Sequence, residues 1–169
     1  LWLFEEMPGT WNLEEGNIVF RKQPMRAQES AVLPMLILHP TGDGTWVEYE
    51  VLGRGMPVLL ANGLAGPPEV WTDLVRQQHD RYRFMTWNYR GLRREESNGA
   101  SHPYHPSQVA RTVAEHARDA CAVLDAEDVA RCCVVGWSMG VQTALELFSL
   151  APNRVSSLVF LSGGARVTW

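Results

Sequence analysis

Short apolar runs alternate with helical stripes along most of the chain. Residues 57–61 form a continuous apolar run of the kind buried inside a parallel sheet. Ahead of it, residues 31–38 are apolar but interrupted by Pro34, which suits an edge strand. Residues 45–52 alternate (Trp46, Val47, Glu48, Tyr49, Glu50, Val51) as a second strand paired with the first would. Turn residues at 39–44 and 53–55 separate the three. Beyond residue 61 the period changes. A helix is expected to carry Val70, Trp71, Leu74 and Val75, followed by a strand at 82–88. Ser107 can cap a helix that runs to about residue 126 with Val109, Val113, Ala117, Ala120 and Leu124 on one face. His116 lies beside that face as a packing or surface histidine. A buried strand follows at 131–135, then a helix at 141–150 with Ala144, Leu147, Phe148 and Ala151 on one side, and a last apolar strand at 155–161. Strands alternating with helices predict a three-layer α/β domain over residues 31–169 with a mostly parallel sheet. Residues 1–30 read as an N-terminal arm bearing Trp2, Phe4 and Trp11, folded onto the domain or reaching a partner.

Composition narrows the function classes. The chain has 169 residues, 46% of them hydrophobic, which is enough for a sizeable core. A net charge of −4 gives no basic balance to suggest nucleic acid. No apolar run is long enough to span a membrane. The three cysteines lack metal-ligand spacing and read as reduced thiols, which points to a reducing, cytoplasmic compartment. His102 and His105 sit in a polar, turn-rich stretch without a third ligand, so no metal or other cofactor is implied.

The chemistry concentrates at Gly136-Trp137-Ser138-Met139-Gly140, directly after an apolar strand and directly before a helical pattern. Gly-x-Ser-x-Gly in that context is the nucleophile-elbow arrangement, in which a very tight turn lifts a serine above the end of a sheet. Gly136 and Gly140 are needed where a side chain would collide with the adjoining strand and helix. The bland alternative is a glycine-tightened turn in which Ser138 serves only as an N-cap. A second glycine-rich stretch, Asn62-Gly63-Leu64-Ala65-Gly66, follows the 57–61 strand. Alone it reads as an ordinary strand-to-helix loop. With the serine turn downstream, it reads as a source of backbone N–H groups at the rim of the sheet, where an oxyanion needs donors.

Asn62-Gly63-Leu64, Trp87-Asn88-Tyr89-Arg90-Gly91 and Gly136-Trp137-Ser138-Met139-Gly140, in that order, resemble the N-terminal half of an α/β-hydrolase-fold serine hydrolase of the esterase and lactonase kind. The resemblance covers roughly residues 35–165. It implies that Ser138 is the nucleophile and that the backbone N–H groups of Leu64 and Met139 form the oxyanion hole. It further implies a small acyl substrate, an ester, a lactone or similar, cleaved through an acyl-enzyme without a cofactor. Two positions depart from the family's usual pattern. Asn62 stands where His is frequent, and Asn88 stands where an Asp often accompanies the following arginine, which puts an ion pair to Arg90 in doubt.

The larger departure concerns the triad, whose order in this fold is serine, acid, histidine. No histidine follows Ser138, and the last acidic residue is Glu146 within the helix after it. The expectation is that the C-terminal strands of the fold are missing. On that view the intact protein adds about 100 residues that carry the acid and then the base, and the 169 residues alone are inactive. Two alternatives stand beside it. One is a non-catalytic binding module that keeps the turn as structure. The other is a base supplied by His102 or His105.

Overall fold

A computed structural model of the chain describes residues 9–14, 17–22, 35–42, 44–64, 66, 68–90 and 112–163. His102, His105, Ser107 and Val109 lie outside the described residues. The strands are β1 (Gly9–Glu14), β2 (Asn17–Lys22), β3 (Met35–Pro40), β4 (Trp46–Gly53), β5 (Met56–Ala61), β6 (Tyr82–Trp87), β7 (Cys132–Trp137) and β8 (Val155–Leu161). The helices are α1 (Thr72–Gln78), entered through a 3₁₀ turn at Pro68–Trp71, α2 (Val113–Ala126) and α3 (Met139–Leu150).

All eight described strands join one sheet in the order β1-β2-β3-β4-β6-β5-β7-β8. β5 pairs in parallel with β6 and β7, and β7 with β8, while β1 to β4 and the β4–β6 pair are antiparallel. Only β2 and β4 therefore run against the rest, and the sheet is mostly parallel. α1 covers one face, where Trp71 and Val75 pack with Val58, Leu60, Phe84 and Val135. α2 and α3 cover the other, where Ala117, Ala120, Leu124, Ala144 and Leu147 pack with Leu59, Met85, Trp87 and Val134. The three layers follow from the alternation of strands and helices.

Three expectations are corrected. β3 is not an edge strand: it pairs with β2 on one side and β4 on the other. The hairpin inside the N-terminal arm supplies the extra strand, in line with the alternation of Trp11 and Leu13 with polar neighbours. The helix expected from Ser107 begins at Val113 instead. Thr112 caps it, its hydroxyl accepting from the Glu115 N–H while the Glu115 carboxylate accepts from the Thr112 N–H. This capping box satisfies two otherwise unpaired donors at once. Phe148 does not share the buried side of α3 with Ala144 and Leu147 but is exposed.

Glu127, at the start of the α2–β7 connection, is tied to the sheet. The Tyr49 hydroxyl donates to Glu127 at 2.6 Å, and Arg83 pairs with the same carboxylate. At the far end of the sheet, β8 leaves Val159, Phe160 and Leu161 each more than 40% exposed. An apolar edge strand is a template for strand pairing. The 169-residue polypeptide is therefore expected to self-associate in a concentration-dependent way, and Phe160→Lys to shift it toward monomer in sedimentation velocity. Equal association of both forms would contradict this role for β8.

Candidate functional site

The connection from β5 leads through α1 to β6, on one side of β5 and over one face of the sheet. The connection from β7 leads through α3 to β8, on the other side and over the other face. The loops that leave β5 and β7 therefore diverge, and the crevice between their C-terminal ends is a topological switch point, the preferred ligand position in open α/β sheets. Ala61 and Gly136 are register partners there, so residues 62–64 and Ser138 stand side by side.

Ser138 adopts φ 55° and ψ −118° between β7 and α3. Left-handed backbone at a residue other than glycine costs on the order of 1–3 kcal/mol. Two hydrogen bonds hold it: the Ser138 N–H donates to the Leu161 carbonyl at 3.0 Å, and its own carbonyl accepts from Val141 at 3.1 Å. Its side chain is exposed and makes no capping hydrogen bond to α3. The turn therefore does not use the hydroxyl as an N-cap.

The two glycines of the motif allow this turn to form against β5. A Cβ on Gly136 would stand 2.5 Å from the Gly140 carbonyl oxygen. A Cβ on Gly140 would overlap the Ala61 carbonyl and lie 2.8 Å from that of Asn62. The obstacles are backbone, not flexible side chains, so relief requires α3 to move off the sheet. Gly140→Ala is expected to cost about 3 kcal/mol, lowering the melting temperature by about 10 °C in thermal denaturation. A shift below about 2 °C would show that α3 is not pinned there.

The glycine-rich loop lies directly against the serine. A Cβ on Gly63 would be 3.2 Å from the Ser138 Cβ and 3.0 Å from the Trp137 ring, and one on Gly66 would be 2.8 Å from the same ring. Trp137, the first variable residue of the motif, thus packs its indole on the loop. Met139 is the first residue of α3, and the Leu64 side chain is exposed. The structure brings Ser138, Gly136, Gly140, Met139 and the Gly63–Leu64 segment together at one rim.

Several buried polar residues behind that rim were not expected from the sequence. Asn62 is buried, its side-chain oxygen accepting from the Trp71 indole N–H and its amide 3.5 Å from the Trp87 carbonyl. The Tyr89 hydroxyl donates to the Asn62 carbonyl at 2.7 Å and lies 3.4 Å from the Thr143 hydroxyl. Burial pushes the Tyr89 hydroxyl up to about 12, so it stays protonated and donates at neutral pH. His116 stacks on Tyr89 with ring centroids 4.3 Å apart. Burial, with the nearby Arg90 charge, holds this imidazole below its usual range and therefore neutral.

Arg90 does have its carboxylate, though not from residue 88. Asp119 on α2 accepts from the Arg90 Nε–H at 2.9 Å and forms an ion pair with the same guanidinium at 2.8 Å, with both side chains buried, and the Thr45 hydroxyl also contacts it. Asn88 instead donates to Glu48 at 2.9 Å. A sequence signal for Asp119 existed: it lies among Ala117, Ala120 and Val123 on the apolar stripe of α2, and a charge in such a stripe needs a partner. Cys121, Cys132 and Cys133 are free thiols. Among the described residues, no helix is long and apolar enough to cross a membrane.

Residues 56–169 match the family model described as alpha/beta hydrolase fold. The chain belongs to that family. Curated relatives of this hydrolase-fold chain include RutD of Azorhizobium caulinodans, a candidate carbamate hydrolase, 32% identical over 70% of the chain and 41% of the relative. RutD of Caulobacter segnis is 30% identical over 75% of the chain and 45% of the relative. Among solved structures, Est816, described as an N-acyl homoserine lactone degrading enzyme, superposes with TM-score 0.62 and 27% identity over 75% of this chain and 45% of that one. The esterase RhEst1 from Rhodococcus sp. ECU1013 gives TM-score 0.62 and 25% identity, covering 76% and 46%. The chain thus spans less than half the length of the relatives it matches.

Proposed function

We propose that the native protein is a serine hydrolase that cleaves a small carbonyl substrate, an ester, lactone or carbamate, through an acyl-enzyme at Ser138. The observation that carries this reading is the placement of Ser138: an exposed, uncapped hydroxyl on left-handed backbone, against Gly63, at the switch point of the sheet. The names of the relatives, a carbamate hydrolase, a lactone-degrading enzyme and an esterase, support the substrate class. All three substrates present a carbonyl carbon bearing an oxygen or nitrogen leaving group.

The Ser138 hydroxyl attacks that carbon. An Oγ–C bond forms, and the carbonyl electron pair moves onto oxygen. The N–H groups of Leu64 and Met139 receive the resulting oxyanion. The leaving-group bond then breaks, and the serine proton passes by way of a base to the departing atom. Water repeats the attack, releases the acid and restores the hydroxyl. A fixed donor in such a site contributes about 3 kcal/mol to transition-state stabilisation. Both donors are main-chain groups, so the side chains of Leu64 and Met139 are not required for this role. On this reading a histidine serves as the base and a carboxylate orients it; no histidine follows Ser138 within residues 1–169, and the chain spans less than half the length of its relatives.

A test is the pre-steady-state hydrolysis of p-nitrophenyl acetate, a small lactone and a p-nitrophenyl carbamate by the native protein. Turnover of at least one, with a p-nitrophenol burst equal to the enzyme concentration for an ester or carbamate, is expected. Folded native protein that hydrolyses none would favour a binding module built on the same turn.

A further inference from the structure

The segment carrying the Leu64 N–H is fixed peptide by peptide. The Asn62 carbonyl accepts from the Tyr89 hydroxyl at 2.7 Å, which sets the plane of the Asn62–Gly63 peptide. The Gly63 carbonyl accepts from the Gly66 N–H at 3.0 Å, which sets the plane of the next one. No described peptide is cis, so the Leu64 N–H projects opposite to the Gly63 carbonyl, away from Gly66. The direction of that N–H therefore depends on two acceptors being held. One is held within the loop. The other is held by a side chain from beyond the end of β6.

The Tyr89 side chain is itself constrained. It is buried, stacks on His116 from α2 and meets the Trp87 ring edge-on at 5.5 Å. Its hydroxyl has one acceptor at close range in the loop and Thr143 of α3 at 3.4 Å. It thus joins the loop after β5 to the helix that begins at the serine turn. On the other side, the Asn62 amide group is gripped by the Trp71 indole N–H.

We propose that Tyr89 is a positioning residue for the acyl-transfer site: by holding the Asn62 carbonyl, it fixes the peptides from which the Leu64 N–H is presented to the oxyanion. The inference rests on the acyl-transfer reading above. Preorganisation explains why such a contact matters. A donor that must reorient as charge develops gives up much of the stabilisation that a fixed donor provides. Substrate binding in the ground state places little charge on the carbonyl oxygen and depends on this donor less.

The experiment compares wild type, Tyr89→Phe and Ser138→Ala forms of the native protein. Steady-state kinetics on an ester are paired with inhibition by a trifluoromethyl ketone, which adds to the serine and carries an oxyanion. Tyr89→Phe is expected to lower kcat about ten- to a hundredfold, less than outright removal of a donor, with KM within about twofold. Affinity for the trifluoromethyl ketone should fall by the same factor as kcat. A purely structural hydroxyl would lower the melting temperature while leaving kcat, KM and inhibitor affinity of the folded enzyme unchanged, and that result overturns the inference. Should Tyr89→Phe fail to fold, 4-fluorophenylalanine incorporated at position 89 removes the hydroxyl donor to the Asn62 carbonyl while filling the space of the hydroxyl. It is expected to show the same split between kcat and KM, and unchanged kcat there overturns the inference. Turnover that depends on Ser138 together with wild-type kinetics in Tyr89→Phe overturns this inference alone. Absence of any turnover dependent on Ser138 overturns the acyl-transfer reading, and the inference with it.

Discussion

Ser138→Ala in the native protein is expected to lower kcat on a p-nitrophenyl ester by about a million-fold, the scale on which loss of a serine nucleophile acts in hydrolases. The effect is large because the hydroxyl forms the bond on which both halves of the reaction depend. The two N–H donors would still stabilise a developing oxyanion in the variant, so residual turnover above the uncatalysed rate is expected from them. Stability should change little. The Ser138 side chain is exposed and makes no capping bond to α3, and alanine tolerates φ 55° about as poorly as serine. The change in unfolding free energy should stay within about 0.5 kcal/mol in denaturant titrations. A variant keeping more than about a hundredth of wild-type kcat would place the chemistry elsewhere, since even loss of one oxyanion donor costs that much.

Asp119→Ala is expected to cost about 3–5 kcal/mol of stability, the largest effect of any single substitution considered in this fold. Arg90 and Asp119 are 5% and 1% exposed as side chains. Removing the carboxylate takes from the buried guanidinium both of the contacts that Asp119 makes with it, while the Thr45 hydroxyl remains beside it. Desolvation of that charge, no longer offset by its partner, makes the loss large. Asp119→Asn keeps an acceptor and should cost less. Replacing both members by apolar residues of similar volume should recover most of the loss, because the pair's attraction and its desolvation nearly cancel. Urea denaturation of the three variants reads the ordering directly. A cost below about 1 kcal/mol for Asp119→Ala would mean that Arg90 is compensated without Asp119, by solvent or by its other contacts. Arg90 adjoins Tyr89, so the single variant should also loosen the ring that holds the Asn62 carbonyl.

Most strands and helices could be read from period alone. The run at 57–61, the alternation at 45–52 and the stripe of Ala117, Ala120 and Leu124 each fall in the element expected of them. So does the serine turn, because its glycines mark a close backbone approach that few other residues permit. Two kinds of feature were harder to read. The first is strand partnership. Pro34 argued for an edge, but β2 pairs with β3 outside the 57–161 pattern, and a period says nothing about which neighbour a strand finds. The second is long-range polar pairing. Arg90 with Asp119, and Tyr89 with the Asn62 carbonyl, meet because β6 and β5 are adjacent and α2 lies over them. Sheet order is not encoded in any local window. Asp119 offered a clue as a charge on an apolar stripe, whereas the link from Tyr89 to Asn62 left no trace in the sequence.

Site-mapped labelling reads out whether the Ser138 hydroxyl is a nucleophile. The native protein is treated with a fluorophosphonate, digested, and the modified peptide sequenced by tandem mass spectrometry. One phosphonyl group per molecule is expected, located on Ser138 and abolished by prior denaturation. Folded protein that stays unlabelled, or that carries the adduct on another residue, would contradict it.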